Sequence, residues 1–130
     1  MNEANVYGRH FTPGEANAML PRLRPMLEQL IEAKGELTDA EAHEALSDAA
    51  PGNGGGDPGR QVGEGFLEVR SILGAIEEAG IVIKDIDRGL IDFPAIIDGR
   101  EVFLCWELGE DEVTHWHDLE AGYGGRQELD

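Results

Sequence analysis

The chain has little of several things. It has one cysteine in 130 residues, Cys105, so no intramolecular disulfide can staple it and its core must hold by packing alone. It has two lysines, Lys34 and Lys84, and only 10 basic residues in all against 27 acidic ones, a formal net charge of -17. Such an acidic chain repels phosphate backbones, which argues against nucleic acid and anionic membrane surfaces as partners. No apolar run approaches the roughly 18 residues of a membrane span, because a charged residue interrupts each one. Met1 to His10 contains no apolar signal stretch. These absences point to a cytoplasmic protein. Abundant carboxylate with scarce lysine also fits a cytoplasm held at high salt, where screening offsets self-repulsion.

The length suits one domain spanning 1–130, and the pattern changes once along it. Residues 1–10 carry no periodicity and are expected to fray. Thr12-Pro13-Gly14-Glu15 starts a helix: Thr12 caps, Pro13 takes the first position and Glu15 completes a capping box. Phe11 is placed to staple onto the first turn. Ala16, Met19, Leu20, Leu23, Leu27, Leu30, Ile31 and Leu37 then recur at spacings of three and four. Pro21 and Pro25 interrupt this face, which predicts a kink or a break with a restart at Pro21. The helical region covers 11–48, with Gly35 a weak point. A Gly/Pro loop follows over 49–60. A second helix is expected over 61–79, with Val62, Phe66, Val69, Leu73, Ile76 and Ala79 on one stripe and Gly80 terminating it. Together these predict an antiparallel helical hairpin.

From Ile81 the period becomes two. Ile81–Ile83, Leu90–Phe93, Ala95–Ile97 and Glu101–Trp106 read as strands, with a turn at Arg88-Gly89 and a two-residue hairpin at Asp98-Gly99. Pro94 belongs at a strand end or an edge. Val113–Trp116 reads as a last short strand, and 118–130 as a tail wrapping back over the sheet. The fold class is therefore α+β: a helical hairpin followed by a small antiparallel meander over 81–117.

Alternation along these strands gathers one chemical cluster. Val102, Leu104 and Trp106 share a face, and Phe103, Cys105 and Glu107 share the other. If the last two strands pair, Thr114 and Trp116 join the first face, and His115 and His117 join Cys105 and Glu107. Asp85 and Asp87 add carboxylates from the first strand. Thiolate, imidazole and carboxylate are the donors of zinc and related divalent ions, so the candidate metal ligands are Cys105, His115, His117, Glu107, Asp85 and Asp87. The same residue types admit a cysteine nucleophile with a histidine base. Asp92 is grouped with Asp85 and Asp87 as a carboxylate bonded to its own turn. Arg126 is expected to pair with one of the many acids.

Four segments carry a family resemblance: F-T-P-G-E-A-N-A-M-L-P-R-L-R-P-M-L, G-I-V-I-K-D-I-D-R-G-L-I-D-F-P-A, V-F-L-C-W-E-L-G-E and T-H-W-H-D-L-E-A-G-Y-G-G-R. With them the chain resembles the prokaryotic family known as domain of unknown function 2203, over Phe11 to about Gln127. The resemblance implies a single-domain prokaryotic protein and carries no activity or site residue with it. The reading that follows is a small binding or regulatory module with a metal or small-ligand site on the sheet. A self-associating homodimer built through the helices and a metal- or cysteine-dependent enzyme are the alternatives.

Overall fold

The structure, a computed structural model, describes residues 5–46 and 63–130. Three helices precede a five-stranded antiparallel sheet: α1 (Pro13–Gly35), α2 (Asp39–Ala45), α3 (Glu64–Glu78), β1 (Val82–Asp85), β2 (Leu90–Ile97), β3 (Arg100–Glu107), β4 (His115–Asp118) and β5 (Gln127–Glu128). The strands pair in chain order, β1-β2-β3-β4-β5. The α+β meander is thus present, with three helices among the described residues where two were expected. The expected Gly/Pro loop and the first residues of the second helix, Gln61 and Val62, lie outside the described residues.

The start of α1 follows its sequence signal. Thr12 Oγ1 accepts from the Glu15 amide at 3.1 Å, and Glu15 Oε1 accepts from the Thr12 amide at 2.9 Å. Phe11 packs edge-on against Phe93 of β2 with ring centroids 5.2 Å apart, and its N–H donates to the Pro94 carbonyl. The helix continues through Pro21 and Pro25, so the expected restart at Pro21 does not occur. Two interior prolines cost roughly 6 kcal/mol. Burial of Leu20, Leu23, Leu27 and Leu30 returns roughly 6–12 kcal/mol. The continuous apolar face therefore outweighs them.

The helical region does break later. Thr38 Oγ1 accepts from the Glu41 amide, and Glu41 Oε1 accepts from the Thr38 amide, forming a second capping box that starts α2. The T-x-x-E signature was present at 38–41, and the alanine-rich continuation masked it. α3 packs against α1 and buries Val69 and Ile76. Gly80 closes it at φ +90°.

The hairpin at Asp98-Gly99 forms with both residues at positive φ, 52° and 79°, and sets Ile97 opposite Arg100. β2 runs unbroken through Pro94. β1 pairs with β2 only as far as Val82 opposite Asp92, so Pro94 lies where that side of β2 is open, and Phe11 fills the gap. The Leu90–Phe93 and Ala95–Ile97 segments are therefore one strand. β4 begins at His115, two residues later than expected, because Val113 is held elsewhere: its amide donates to Asn17 Oδ1 of α1 at 2.7 Å. The tail ends by adding β5 beside β4 as an edge strand.

One sheet face packs on the helices through Ile91, Phe93, Ala95, Val102, Leu104 and Trp106. Trp106 is fully buried and its Nε1 donates to the Glu110 carbonyl. Trp116 is only partly buried at the margin of this core. The second face is also closed. Asp92, Phe103, Cys105 and His117 are each 1% exposed, so the site the strands assemble is interior.

A buried Asp-Cys-His cluster on the second sheet face

Three strands supply the cluster. In the β2–β3 ladder Asp92 lies directly opposite Cys105. In the β3–β4 ladder Phe103 lies opposite His117, and Cys105 opposite His115. One donor atom from each of Asp92, Cys105 and His117 falls within 4.8 Å of the others.

His117 is held in a defined tautomer. Its Nδ1 lies 2.7 Å from the Asp118 carbonyl oxygen. A carbonyl only accepts, so Nδ1 carries the proton. Nε2 then faces Asp92, 3.2 Å from each carboxylate oxygen, and the bond between them needs one further proton, carried by Nε2 or by the carboxyl. Hydrogen-bond geometry is met only at Oδ1, and Oδ2 is buried without a partner. The Lys84 ammonium is 3.8 Å from Oδ2 and 4.7 Å from the Phe103 ring centroid. Burial pushes the Asp92 carboxyl above its usual range, although His117 and Lys84 oppose this. Burial also pushes the Cys105 thiol up to about 12, with the Asp92 charge adding and the Arg126 charge opposing. In the metal-free protein Cys105 is therefore a thiol, the reverse of an activated nucleophile.

The other expected ligands are engaged elsewhere. His115 faces Cys105 in register, but its Nδ1 lies 2.9 Å from Thr114 Oγ1 and the ring stays outside the cluster. Glu107 takes two bonds from Arg88, at 2.8 and 3.2 Å, which hold its carboxyl below the usual range. Asp85 accepts from the Arg88 amide in the β1–β2 turn, and Asp87 pairs with Lys34 at 3.0 Å. With so few cations in the chain, these acids sit beside the ones there are.

Asp92 was missed as a member of the cluster, and it is not a turn residue. The signal was countable. A two-residue loop at Asp98-Gly99 pairs positions equidistant from it, and Asp92 precedes Asp98 by as many residues as Cys105 follows Gly99.

Two chain segments border the cluster, one through Tyr7 and the other through Arg126, whose charge acts on Cys105. Tyr7 packs against Phe103 at a tilt of 58° with centroids 5.3 Å apart, and Phe103 packs edge-on against His117 at 5.6 Å. The segment carrying Tyr7 was expected to fray. Glu101 holds it instead, accepting from the Val6 and Tyr7 amides at 2.8 and 3.0 Å and lying 2.8 Å from His10 Nε2. At the Cys105 end, Arg126 reaches in from the tail and pairs with Glu110 at 2.8 and 3.1 Å.

The sequence model of the uncharacterized conserved proteins DUF2203 matches residues 9–129, which takes in the whole sheet, the cluster and its tail cover. The chain belongs to that family. No curated protein and no solved structure matches it. Membership in DUF2203 assigns no activity, so any functional reading rests on the geometry. Among the described residues, no helix is long and apolar enough to cross a membrane.

Proposed function

We propose that this protein is a small metal-binding module that holds a divalent ion, zinc foremost, through Asp92, Cys105 and His117. The observation that carries this reading is the convergence of three buried donors of the zinc set within 4.8 Å. Ligand atoms about 2.0–2.3 Å from zinc stand about 3.3–3.8 Å apart in a tetrahedron. The His117–Asp92 separation of 3.2 Å is already close to that, and the remaining gap closes with small side-chain movements. With Nδ1 protonated, Nε2 is the nitrogen that would bind the ion once the proton it shares with Asp92 leaves, and the Nδ1 bond to a backbone carbonyl is the outer support that ligating histidines commonly have. The unpartnered Asp92 Oδ2 gains a cation to coordinate. Three protein donors leave a fourth position for a water or a small ligand.

Zinc must displace the Cys105 proton, so binding releases protons. Calorimetry of untagged, metal-free protein with zinc in two buffers of different ionisation enthalpy reads both affinity and proton release. The expected result is one zinc per chain, at least one proton released, and affinity lowered at least about tenfold in Cys105→Ser and His117→Ala. An unchanged affinity in both variants, or no bound zinc, defeats the reading.

A further inference from the structure

The cluster is sealed, so anything that reaches it must pass a cover, and the tail side of the cover has the features of a door. The tail leaves β4 after Asp118 and returns at β5 through Gly122, Gly124 and Gly125, with a 3-10 turn over Tyr123–Gly125. Gly122 sits at φ +72°, where a side chain is strained. This stretch buries none of its residues fully. Tyr123 is 39% exposed, and it is held by two arginines at its ring and by hydroxyl contacts with Glu107 and Arg126. The Arg88 guanidinium lies 4.4 Å from the Tyr123 ring centroid and the Arg126 guanidinium 4.6 Å. Each arginine is in turn gripped by a carboxylate, Arg88 by Glu107 and Arg126 by Glu110. The closed arrangement also leaves Arg126 Nε buried with no partner, a cost that opening to water relieves.

We infer that the tail segment 119–126 is a gate over Cys105, clasped shut by the Arg88–Tyr123–Arg126 stack, and that it opens locally while the sheet and helices stay folded. A segment with few buried apolar contacts and partly exposed polar ties opens at lower free energy than the core. Phe103, Cys105 and Trp106 belong to a central strand that cannot move without breaking two ladders, whereas the tail forms only the short β5 edge. As a route for a metal ion the gate rests on the metal-site reading above; as a motion it does not.

Because Cys105 is the only cysteine, alkylation by iodoacetamide, followed by mass, reports the opening at one atom without any metal present. In Tyr123→Ala, which removes both ring contacts, labelling is expected to be roughly tenfold faster. Tyr123→Phe keeps the ring contacts and loses only the hydroxyl contacts to Glu107 and Arg126, so it should label more slowly than Tyr123→Ala. Leu30→Ala, a core change far from the tail, provides the global control, and each variant's unfolding free energy is measured alongside. The gate is refuted if Tyr123→Ala labels no faster than wild type. It is equally refuted if the variant's rate follows lost global stability along the same line as Leu30→Ala, or if Tyr123→Phe labels as fast as Tyr123→Ala. Zinc association rates on the same proteins then connect the motion to the metal. If none of them binds zinc, the metal reading fails while the labelling result stands on its own.

Discussion

Replacing Asp92 by asparagine separates the cost of the cluster from its use. In the metal-free protein the Asp92 carboxylate is 1% exposed, has one oxygen without a hydrogen-bond partner, and has a pKa raised by burial. A buried carboxylate costs more than a neutral amide of the same shape, here on the order of 1–3 kcal/mol. Asparagine keeps the shape and can donate to His117 Nε2 across the existing 3.2 Å. It gives up the attraction and hydrogen bond that His117 offers the carboxylate and a 3.8 Å approach from Lys84, which together fall short of the burial penalty because the pKa stays raised. The balance runs from neutral to about 2 kcal/mol of stabilisation. For a domain of this size that is a rise in Tm of up to about 10 °C. With zinc at about 100 times its dissociation constant the order reverses, because wild type gains about 2.7 kcal/mol and the variant gains little. The sign with pH is also defined. A carboxyl with a raised folded pKa binds more protons when folded, so its penalty is absent below the ordinary carboxyl range and grows as pH rises through the raised value. The advantage of Asp92→Asn should therefore appear above that window and vanish in acid. Thermal melts with chelator and with zinc, between pH 3 and 8, measure all of this. A metal-free variant several kcal/mol less stable than wild type would make Asp92 a structural ion pair. Equal stabilisation of both proteins by zinc would remove it from the metal site.

Two further predictions concern the covers and turns around the cluster. Burial pushes the Glu101 carboxyl up, but bonds from His10 and the Val6 and Tyr7 amides outweigh this and hold its pKa low. Its stabilisation is therefore present above the ordinary glutamate pKa and lost as pH falls through the lowered one, so Glu101→Gln should flatten the acid limb of a stability curve; an identical limb in both proteins counts against the clasp. Gly89 sits at φ +63°, and a Cβ there meets Leu108 Cβ at 2.5 Å. Gly89→Ala should cost about 2 kcal/mol or more in chemical denaturation, and a loss under about 0.5 kcal/mol would show that the turn relaxes freely.

Much of the architecture is legible in local chemistry. The Thr12 box, the Gly80 stop and the Asp98-Gly99 hairpin each depend on a few adjacent residues, and each forms where those residues stand. Errors arose where two local signals competed. Pro21 and Pro25 argued for a kink or a break, and the break does not occur because the buried leucines hold one helix, while an alanine-rich run concealed the Thr38 cap. Of the cluster, Cys105 and His117 were visible through period-two alternation. Asp92 was hidden only because its strand was cut at Pro94 and its carboxylate assigned to a turn.

The sequence by itself determined the antiparallel meander and the parity of β2 against β3, because side chains alternate and the Asp98-Gly99 loop is two residues long, whereas the register of the last strand was only one option. It also determined that one thiol, two imidazoles and a surplus of carboxylates could share a face. Only the tertiary structure decided which of them meet. That choice depends on where the few cations of a chain of charge -17 lie: Arg88 draws off Glu107, Lys34 draws off Asp87 and Arg126 holds Glu110. It depends as well on Tyr7 and the tail folding over the second face, which turned a surface cluster into a buried one. Such contacts join residues more than ninety positions apart, as Val6 and Glu101 show, and no local pattern encodes them.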